Sequence, residues 1–156
     1  MIPTLATVLG LVSCASPGPT SASPTSEAES PADACIARAS TKHAKNPKEP
    51  DSITVRHVLV KHTGSKNYTQ GLTRTRGEAC LRAAEALEKL KAGEDFTKLV
   101  GEYSDSPGVS NDGSLGSVHR SDLDPAFADA AFELEPGQMS NVVETPFGFH
   151  VIVRTE

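Results

Sequence analysis

Apolar and polar side chains alternate along Ile53 to His62, a segment rich in β-branched residues. This pattern predicts a β-strand, because successive side chains of a strand point to opposite faces. One face would carry Ile53, Val55, His57, Leu59 and Lys61. The other face would carry Arg56, Val58 and Val60. We therefore expect His57 and Lys61 to lie on the same side of the strand.

A helix is predicted after the polar loop that follows this strand. Thr75 to Glu78 form a capping-box pattern, in which the first and fourth residues bond to each other's backbone. Apolar residues then recur at helical spacing along one stripe: Ala79, Ala83, Leu87 and Leu90. Glycine commonly ends helices, so Gly93 predicts that the helix stops near Ala92.

The later elements are predicted to be short. They are a helix through Phe96 to Tyr103, a loop over 104–113, a strand over 114–118, a helix from Asp124-Pro125 that carries Phe127 to Phe132, and strands over 139–144 and 149–154. Asp124 fits an N-cap and Pro125 the first helical position. The order β-α-α-β-α-β-β predicts an α+β domain with helices packed on a small, mostly antiparallel sheet.

Composition divides the chain near Pro50. Phe, Tyr and Trp are missing before that point, whereas all five Phe and both Tyr follow it. Residues 53–156 can therefore build a core, whereas the N-terminal third cannot bury enough apolar surface. The net charge of −5 argues against a nucleic-acid partner, for which a basic stripe is expected. P-loop, dinucleotide-binding and CxxC zinc motifs do not occur in the sequence.

The N-terminus predicts export and lipidation. Residues 1–13 form a short apolar segment that fits a signal peptide, although no Lys or Arg precedes Arg38. Leu11-Val12-Ser13-Cys14 resembles the lipobox of bacterial lipoproteins, which implies cleavage before Cys14 and lipid on its thiol. Residues 14–50 would then be a flexible tether and linker, with a short helix over 32–44. The alternative is a disordered N-terminus with a chance cysteine.

Cys35 and Cys80 are the remaining cysteines. In an oxidising envelope such a pair can persist as a disulfide, which would staple the segment before the domain onto it. The alternative is two unrelated buried thiols, because the sequence does not give the Cα separation.

Several short motifs follow one another through residues 53–156. They are His57 to Lys61, Gly93 to Phe96, Ser104-Asp105, Gly113 to Gly116, Pro125 to Phe132, and Phe147 to Ile152. This ordered set resembles parvulin-type peptidyl-prolyl isomerases over the whole domain. The resemblance implies a four-stranded, mostly antiparallel sheet with three to four packed helices, preceded by a disordered tail.

The resemblance also implies catalysis of cis/trans isomerisation at X–Pro bonds. Amide resonance sets a barrier of about 18–20 kcal/mol, and a dry pocket favours the twisted, less charge-separated transition state. This chemistry needs no cofactor, metal ion or covalent intermediate.

Candidate site residues are carried over from the family motifs one by one. His57 and His150 match the paired histidines at the floor of the site, and His43, His62 and His119 are interpreted as structural or solvated. Ser106 stands where family members carry Cys or Asp, so it can offer a hydroxyl but no anion. The predicted substrate contacts are Lys61, Leu115, Leu123, Phe127, Thr145 and Phe147.

Phosphate-directed parvulins place adjacent arginines in the loop after the first strand. Here residues 63–67 include only Lys66 as a basic residue, so a bidentate arginine clamp is missing. Arg74 and Arg76 lie near the helix start, and we interpret them as structural or solvated. Strict phospho-Ser/Thr-Pro specificity is therefore not expected.

These observations predict a monomeric prolyl isomerase that acts on proline-containing unfolded or extended polypeptides. Its lipid would hold it to a bacterial membrane, facing the periplasm or the outer surface, where it would assist the folding of envelope or secreted proteins. The alternative is a non-catalytic chaperone module, which Ser106 favours. A serine hydrolase fits poorly, since no GxSxG elbow surrounds Ser106.

Overall fold

The computed structural model describes residues 29–106 and 111–156. Its elements are α1 (Pro31–Ala39), β1 (Ser52–Val60), α2 (Arg76–Lys91), α3 (Phe96–Tyr103), β2 (Ser114–His119), a 3₁₀ turn (Arg120–Asp122), α4 (Pro125–Glu133), β3 (Val143–Thr145) and β4 (Gly148–Arg154). The predicted signal segment 1–13, Cys14 and the tether up to residue 28 lie outside the described residues. The predicted α+β class is confirmed.

The strands form one antiparallel sheet in the order β2-β1-β4-β3. The first strand, β1, is central and pairs with β2 on one side and with the last strand, β4, on the other. The register places His57 opposite Ile152 and Leu59 opposite His150. His57 and His150 are therefore diagonal neighbours on one face, a spacing at which cross-strand side chains can meet.

The alternation predicted for β1 separates two cores. Val58 and Val60 face a core shared with α1, α2 and α3. Ile53 and Val55 face a second core, shared with α4. The same periodicity places His57 and Leu59 on the α4 side, so the position of the histidine follows from the burial of its apolar neighbours.

Side-chain caps fix where the helices begin, as the sequence predicted at two of them. The Thr75 hydroxyl accepts from the Glu78 N–H at 3.2 Å, and the Glu78 carboxylate accepts from the Thr75 N–H at 2.7 Å. Asp124 accepts from the Ala126 N–H at 3.0 Å, with Pro125 in the first helical position. Both capping predictions are confirmed.

The segment before β1 packs on the rest of the protein. Cys35 in α1 and Cys80 in α2 form a disulfide with a Cα separation of 6.0 Å. Glu49 then pairs with Arg120, beyond β2. The helix ends at Ala39 rather than near Ala44, because Ser40 leaves the helical path and donates its hydroxyl to Glu144 at 2.6 Å.

The first closing strand is shorter than predicted. Only Val143–Thr145 forms β3, whereas residues 139–144 were expected to be extended. Ser140 explains the difference, because its hydroxyl, not a backbone carbonyl, accepts from the Ile152 N–H at 3.0 Å. Met139 makes an isolated bridge to Val153, so the segment follows β4 without a continuous ladder.

Candidate active site

A cavity of about 280 Å³ lies on the α4 side of the sheet. Its wall is formed by His57, Leu59, Leu115, Asp122, Leu123, Asp124, Phe127, Thr145, Phe147 and His150. These side chains come from β1 and β4, the start of β2, the 3₁₀ turn, the start of α4, the end of β3 and the β3–β4 turn. Seven of the nine residues predicted for catalysis or substrate contact therefore meet around one space.

Two histidines from neighbouring strands form the floor of the cavity. His57 is 5% exposed and His150 is 4% exposed. Their Nδ1 atoms lie 3.2 Å apart, and their rings are nearly parallel, with an interplanar angle of 20°. One ring must donate and the other accept in this hydrogen bond.

Thr145 continues the hydrogen-bonded chain. Its hydroxyl oxygen lies 2.8 Å from His150 Nε2 and accepts from the Phe147 N–H at 3.1 Å. If the hydroxyl donates to His150, then His150 donates to His57, and His57 keeps its proton on Nε2. With the opposite polarity, His57 Nε2 is an acceptor. Among the described residues, His57 Nε2 has no hydrogen-bond partner.

Burial keeps both histidines neutral. It lowers the pKa of His57 to about 4. Burial, with a further contribution from the charge of a protonated His57, holds the pKa of His150 well below its ordinary value. Charging either ring in this dry environment is costly, so near neutral pH each ring carries a single proton. The floor of the cavity therefore bears no charge and offers directional hydrogen bonds.

Aromatic and aliphatic side chains form the wall above the histidines. The Phe127 ring lies nearly perpendicular to both histidine rings, with its centroid 5.7 Å from that of His57 and 5.1 Å from that of His150. Leu115, Leu123 and Phe147 complete this apolar surface. The cap at Asp124 places Phe127, because it sets where α4 begins. The enclosure suits a small apolar group such as a proline ring.

Asp105 and Ser106 follow α3 and have different surroundings. Asp105 is tied to β1: its carboxylate accepts from the Lys61 N–H at 3.0 Å and from Arg74 at 2.5 Å. Ser106 is half-buried and does not belong to the cavity wall formed by the described residues. The Asp105 carboxylate is thus engaged structurally, and the structure does not bring Ser106 together with the histidines.

Lys61 also lies away from the cavity. It is 3% exposed, and its ammonium donates to the Asn67 carbonyl at 2.9 Å. This bond closes the loop after β1, which explains how a lysine can be buried on a strand end. A contact between Lys61 and a substrate stays a prediction that would require this bond to open.

The basic residues near the loop are mostly engaged. Arg74 donates to the Lys61 carbonyl and to Asp105. Arg76 forms a bidentate pair with Glu144, at 2.5 and 2.7 Å. Lys66 is the exception, since its ammonium lies 6.0 Å from the centroid of the Phe147 ring. The arrangement agrees with the interpretation of both arginines as structural.

Two residues of the wall were not predicted as site residues from the sequence. Leu59 could have been found, because the alternation of β1 already put it on the face of His57. Asp122 had no such signal, since it lies in a 3₁₀ turn that no periodic pattern announces. Asp124 was predicted as a helix cap at a position where many parvulins carry Gln, and it also borders the cavity.

Three other histidines lie outside the cavity wall, as expected. His43 bonds Glu133 at 2.6 Å, His62 contacts the Phe149 ring, and His119 bonds the Asp51 carbonyl.

Within residues 29–106 and 111–156, no group of three or more acidic, histidine or cysteine side chains could hold a metal ion. In the same part of the chain, no helix has the length and apolar character needed to cross a bilayer.

Comparisons with known proteins point in one direction. The family described as the PPIC-type PPIASE domain matches residues 38–156. The peptidyl-prolyl cis-trans isomerase pin1 of Schizosaccharomyces pombe is 36% identical over 119 residues, which cover 73% of this chain and 66% of that protein. The chaperone SurA of Aromatoleum aromaticum is 41% identical over 104 residues, covering 65% of this chain but 22% of that protein.

A solved structure extends the likeness to three dimensions. The peptidyl-prolyl isomerase ESS1 from Candida albicans superposes with a TM-score of 0.63 at 29% identity. The match covers 72% of this chain and 66% of that structure. The chain therefore spans about two thirds of the yeast relatives and about a fifth of the SurA chaperone.

Proposed function

Because the chain belongs to the PPIC-type peptidyl-prolyl cis-trans isomerase family, we propose that it accelerates rotation about X–Pro bonds in extended polypeptides. The observation that carries this proposal is the neutral His57–His150 pair beneath an apolar cavity of about 280 Å³. The relatives named as isomerases and as a chaperone support polypeptide as the substrate.

The proposed mechanism begins with binding of the proline ring against Leu115, Leu123 and Phe127. Burying such a ring contributes about 1–3 kcal/mol. An apolar wall disfavours the charge-separated resonance form of the planar amide more than the twisted transition state, so it lowers the barrier. No covalent bond is formed or broken, because the reaction is a rotation about the C–N bond.

In the proposed mechanism the histidine pair acts through the Nε2–H group of His57. When Thr145 donates to His150 and His150 donates to His57, the His57 Nε2–H is unpaired at the cavity floor. In the twisted amide the lone pair returns to the prolyl nitrogen, which then accepts a hydrogen bond. We propose His57 as this donor, with His150 and Thr145 fixing its ring. Ser106 is proposed to bond the substrate backbone through its hydroxyl.

The test is an isomerisation assay with the full chain and a neutral X–Pro peptide. We expect an increased exchange rate for the wild type. His57→Ala should reduce kcat/KM by about 10²-fold or more while peptide affinity changes less. His119→Ala, which alters an exposed histidine outside the cavity wall, is the matched control. A wild type that binds peptide without accelerating exchange would overturn the proposal.

A non-catalytic chaperone is the second candidate. Ser106 favours it, because serine replaces the Cys or Asp of other family members and does not border the cavity formed by the described residues. A chaperone of this type would suppress aggregation of an unfolded client yet leave proline exchange unchanged in the same preparation.

We also propose that phosphorylation of the substrate is not required. Arg74 and Arg76 are held by Asp105 and Glu144, which leaves Lys66 as the free cation of the loop among the described residues. A single ammonium cannot reproduce a bidentate guanidinium clamp on phosphate. Phosphothreonine–Pro and Thr–Pro peptides should therefore differ by less than about tenfold in kcat/KM. A larger preference for phosphate would contradict this assignment.

The location of the enzyme is proposed to be the bacterial cell envelope. The lipobox-like segment ending at Cys14 supports attachment by lipid, and the Cys35–Cys80 disulfide suits an oxidising compartment. Mass spectrometry of the membrane fraction should find an acylated Cys14 at the N-terminus. An intact Met1 would contradict this part of the proposal.

A further inference from the structure

Two carboxylates border the otherwise uncharged cavity. Asp122 ends the 3₁₀ turn and Asp124 caps α4, and both belong to the cavity wall. We call this pair the acidic edge. Asp122 is exposed and Asp124 is half-buried, so both can be reached from the mouth of the cavity.

Hydrogen bonds from two backbone N–H groups and one hydroxyl hold the acidic edge in place. One oxygen of Asp122 accepts from the His119 N–H at 3.1 Å, and the other from the Ser121 hydroxyl at 3.3 Å. One oxygen of Asp124 accepts from the Ala126 N–H at 3.0 Å. These bonds orient the side chains but do not neutralise their charge.

Unlike Asp122 and Asp124, the neighbouring acidic residues lie against basic side chains. Arg120, which starts the same turn, pairs with Glu49 and Asp129. Glu133, at the end of α4, lies against His43. In the part of the chain that the structure describes, Asp122 and Asp124 form no ion pair. The local cations are thus used elsewhere, and the cavity keeps two uncompensated negative charges.

A second observation marks the same cavity as open to a ligand. The His57 side chain is buried, with 5% of its surface exposed, yet its Nε2 has no hydrogen-bond partner among the described residues. A buried ring nitrogen without a partner is rare and calls for one. A peptide bound over His57 would share one space of about 280 Å³ with the acidic edge, since His57, Asp122 and Asp124 all line it.

We propose that the acidic edge selects substrates that carry lysine or arginine next to the isomerised proline. This inference rests on the proposed isomerase function and names its preferred substrate class. A cationic side chain within about 4 Å of one carboxylate in water gains about fivefold in affinity, and partial exclusion of water increases this factor. A glutamate at the same place is repelled, which also opposes phosphorylated substrates.

The test compares kcat/KM for peptides that differ in one residue beside proline. Lysine, glutamate and neutral norleucine or glutamine are placed first before and then after the proline. We expect the lysine peptide of at least one series to exceed its neutral partner roughly three- to tenfold at low ionic strength. The preference should shrink as salt is raised, because exposed charges are screened.

Variants assign the preference to the acidic edge. Asp122→Asn and Asp124→Asn remove one charge each, and asparagine caps helices about as well as aspartate. Each should lower the ratio of lysine to neutral rates toward one. Glu135→Gln is the matched control, since Glu135 is exposed and lies outside the cavity wall. It should keep the wild-type ratio.

The outcomes separate this inference from the function on which it depends. Acceleration of all peptides without a preference for lysine overturns the inference alone. A lysine preference that survives in both asparagine variants does the same. If no peptide is accelerated, the neutral ones included, both the isomerase function and the substrate preference are overturned.

Discussion

At the scale of single residues, the site depends on keeping two imidazoles neutral and oriented inside an apolar wall. His57 and His150 satisfy each other through their Nδ1 atoms, and Thr145 satisfies the far side of His150. Burial lowers the pKa of His57 to about 4, so the pair does not titrate under ordinary conditions. The chemistry of this floor is therefore linked to the stability of the fold.

This linkage predicts a loss of stability in acid. In the unfolded chain His57 binds a proton near pH 6.5, whereas in the folded protein its pKa is about 4. The unfolded state therefore binds more protons between these values, and the free energy of unfolding falls as the pH is lowered through this window. Each such histidine contributes about 1.4 kcal/mol per pH unit. Urea unfolding between pH 7 and pH 4.5 measures the slope.

His57→Asn is the comparison for that slope. This variant lacks one of the two titrating rings, so its stability should depend less steeply on pH by about one proton. The slope is compared rather than the stability itself, because the substitution also changes packing. Parallel curves for the variant and the wild type would show that His57 is not held neutral by the fold.

The Thr145 hydroxyl should matter more than the Thr145 methyl group. In Thr145→Val the shape is kept, but His150 Nε2 and the Phe147 N–H lose their partner. A buried polar group left unpaired costs about 1–3 kcal/mol. We expect Thr145→Val to lower stability by this amount and to reduce kcat/KM, whereas Thr145→Ser keeps the bond and most of the activity. Equal activities for the two variants would contradict a positioning role for the hydroxyl.

At the scale of elements, the site is built where β2 begins to pair with the middle of β1. The His57 N–H donates to the Gly113 carbonyl at 2.9 Å, just before β2 begins. Gly113 has a φ of +74°, and a Cβ there would lie 2.5 Å from the His57 carbonyl oxygen. The backbone of β1 at His57 is thus held against a position that only glycine can occupy.

Gly113→Ala and Gly116→Ala form a matched pair that separates strain from contact. Both residues have positive φ, which costs an alanine about 1–2 kcal/mol. Only at Gly113 does the added methyl also meet His57 and Val100, because nothing lies within 4 Å at Gly116. Gly113→Ala should therefore be the more destabilising, and it should lower kcat/KM at least about tenfold by displacing His57. Urea unfolding and the proline assay test both effects, and similar losses for the two variants would argue against the contact.

At the scale of the whole molecule, the sequence predicted what depends on local rules. The alternation of β1 and the caps at Thr75 and Asp124 are properties of residues close together in the sequence. The order of the motifs indicated the fold. What it missed depends on distant partners. Lys61 is turned away from the cavity by Asn67, and β3 is shortened because the Ser140 hydroxyl takes a ladder bond from Ile152. No periodic pattern in the sequence predicts these side-chain hydrogen bonds.

The sheet separates the disulfide-linked helices on one face from the cavity on the other. The helices α1, α2 and α3 pack on one face with Val58 and Val60, and α4 and the cavity lie on the other with Val55. The Cys35–Cys80 disulfide joins α1 to α2, so it belongs to the face away from the histidines. A change confined to this crosslink should act on stability and spare catalysis.

Reduction of the disulfide tests this division. The crosslink closes a loop of 45 residues in sequence separation, for which about 2–4 kcal/mol of stabilisation is expected. Reductant should lower the free energy of unfolding of the wild type by this amount, and it should leave a Cys35→Ala/Cys80→Ala double variant unaffected. Well below the unfolding transition, kcat/KM should stay within about twofold in all these forms, because sites separated by a packed sheet couple weakly. A parallel loss of activity on reduction would mean that the two faces are energetically coupled through β1, the strand whose alternate side chains belong to both.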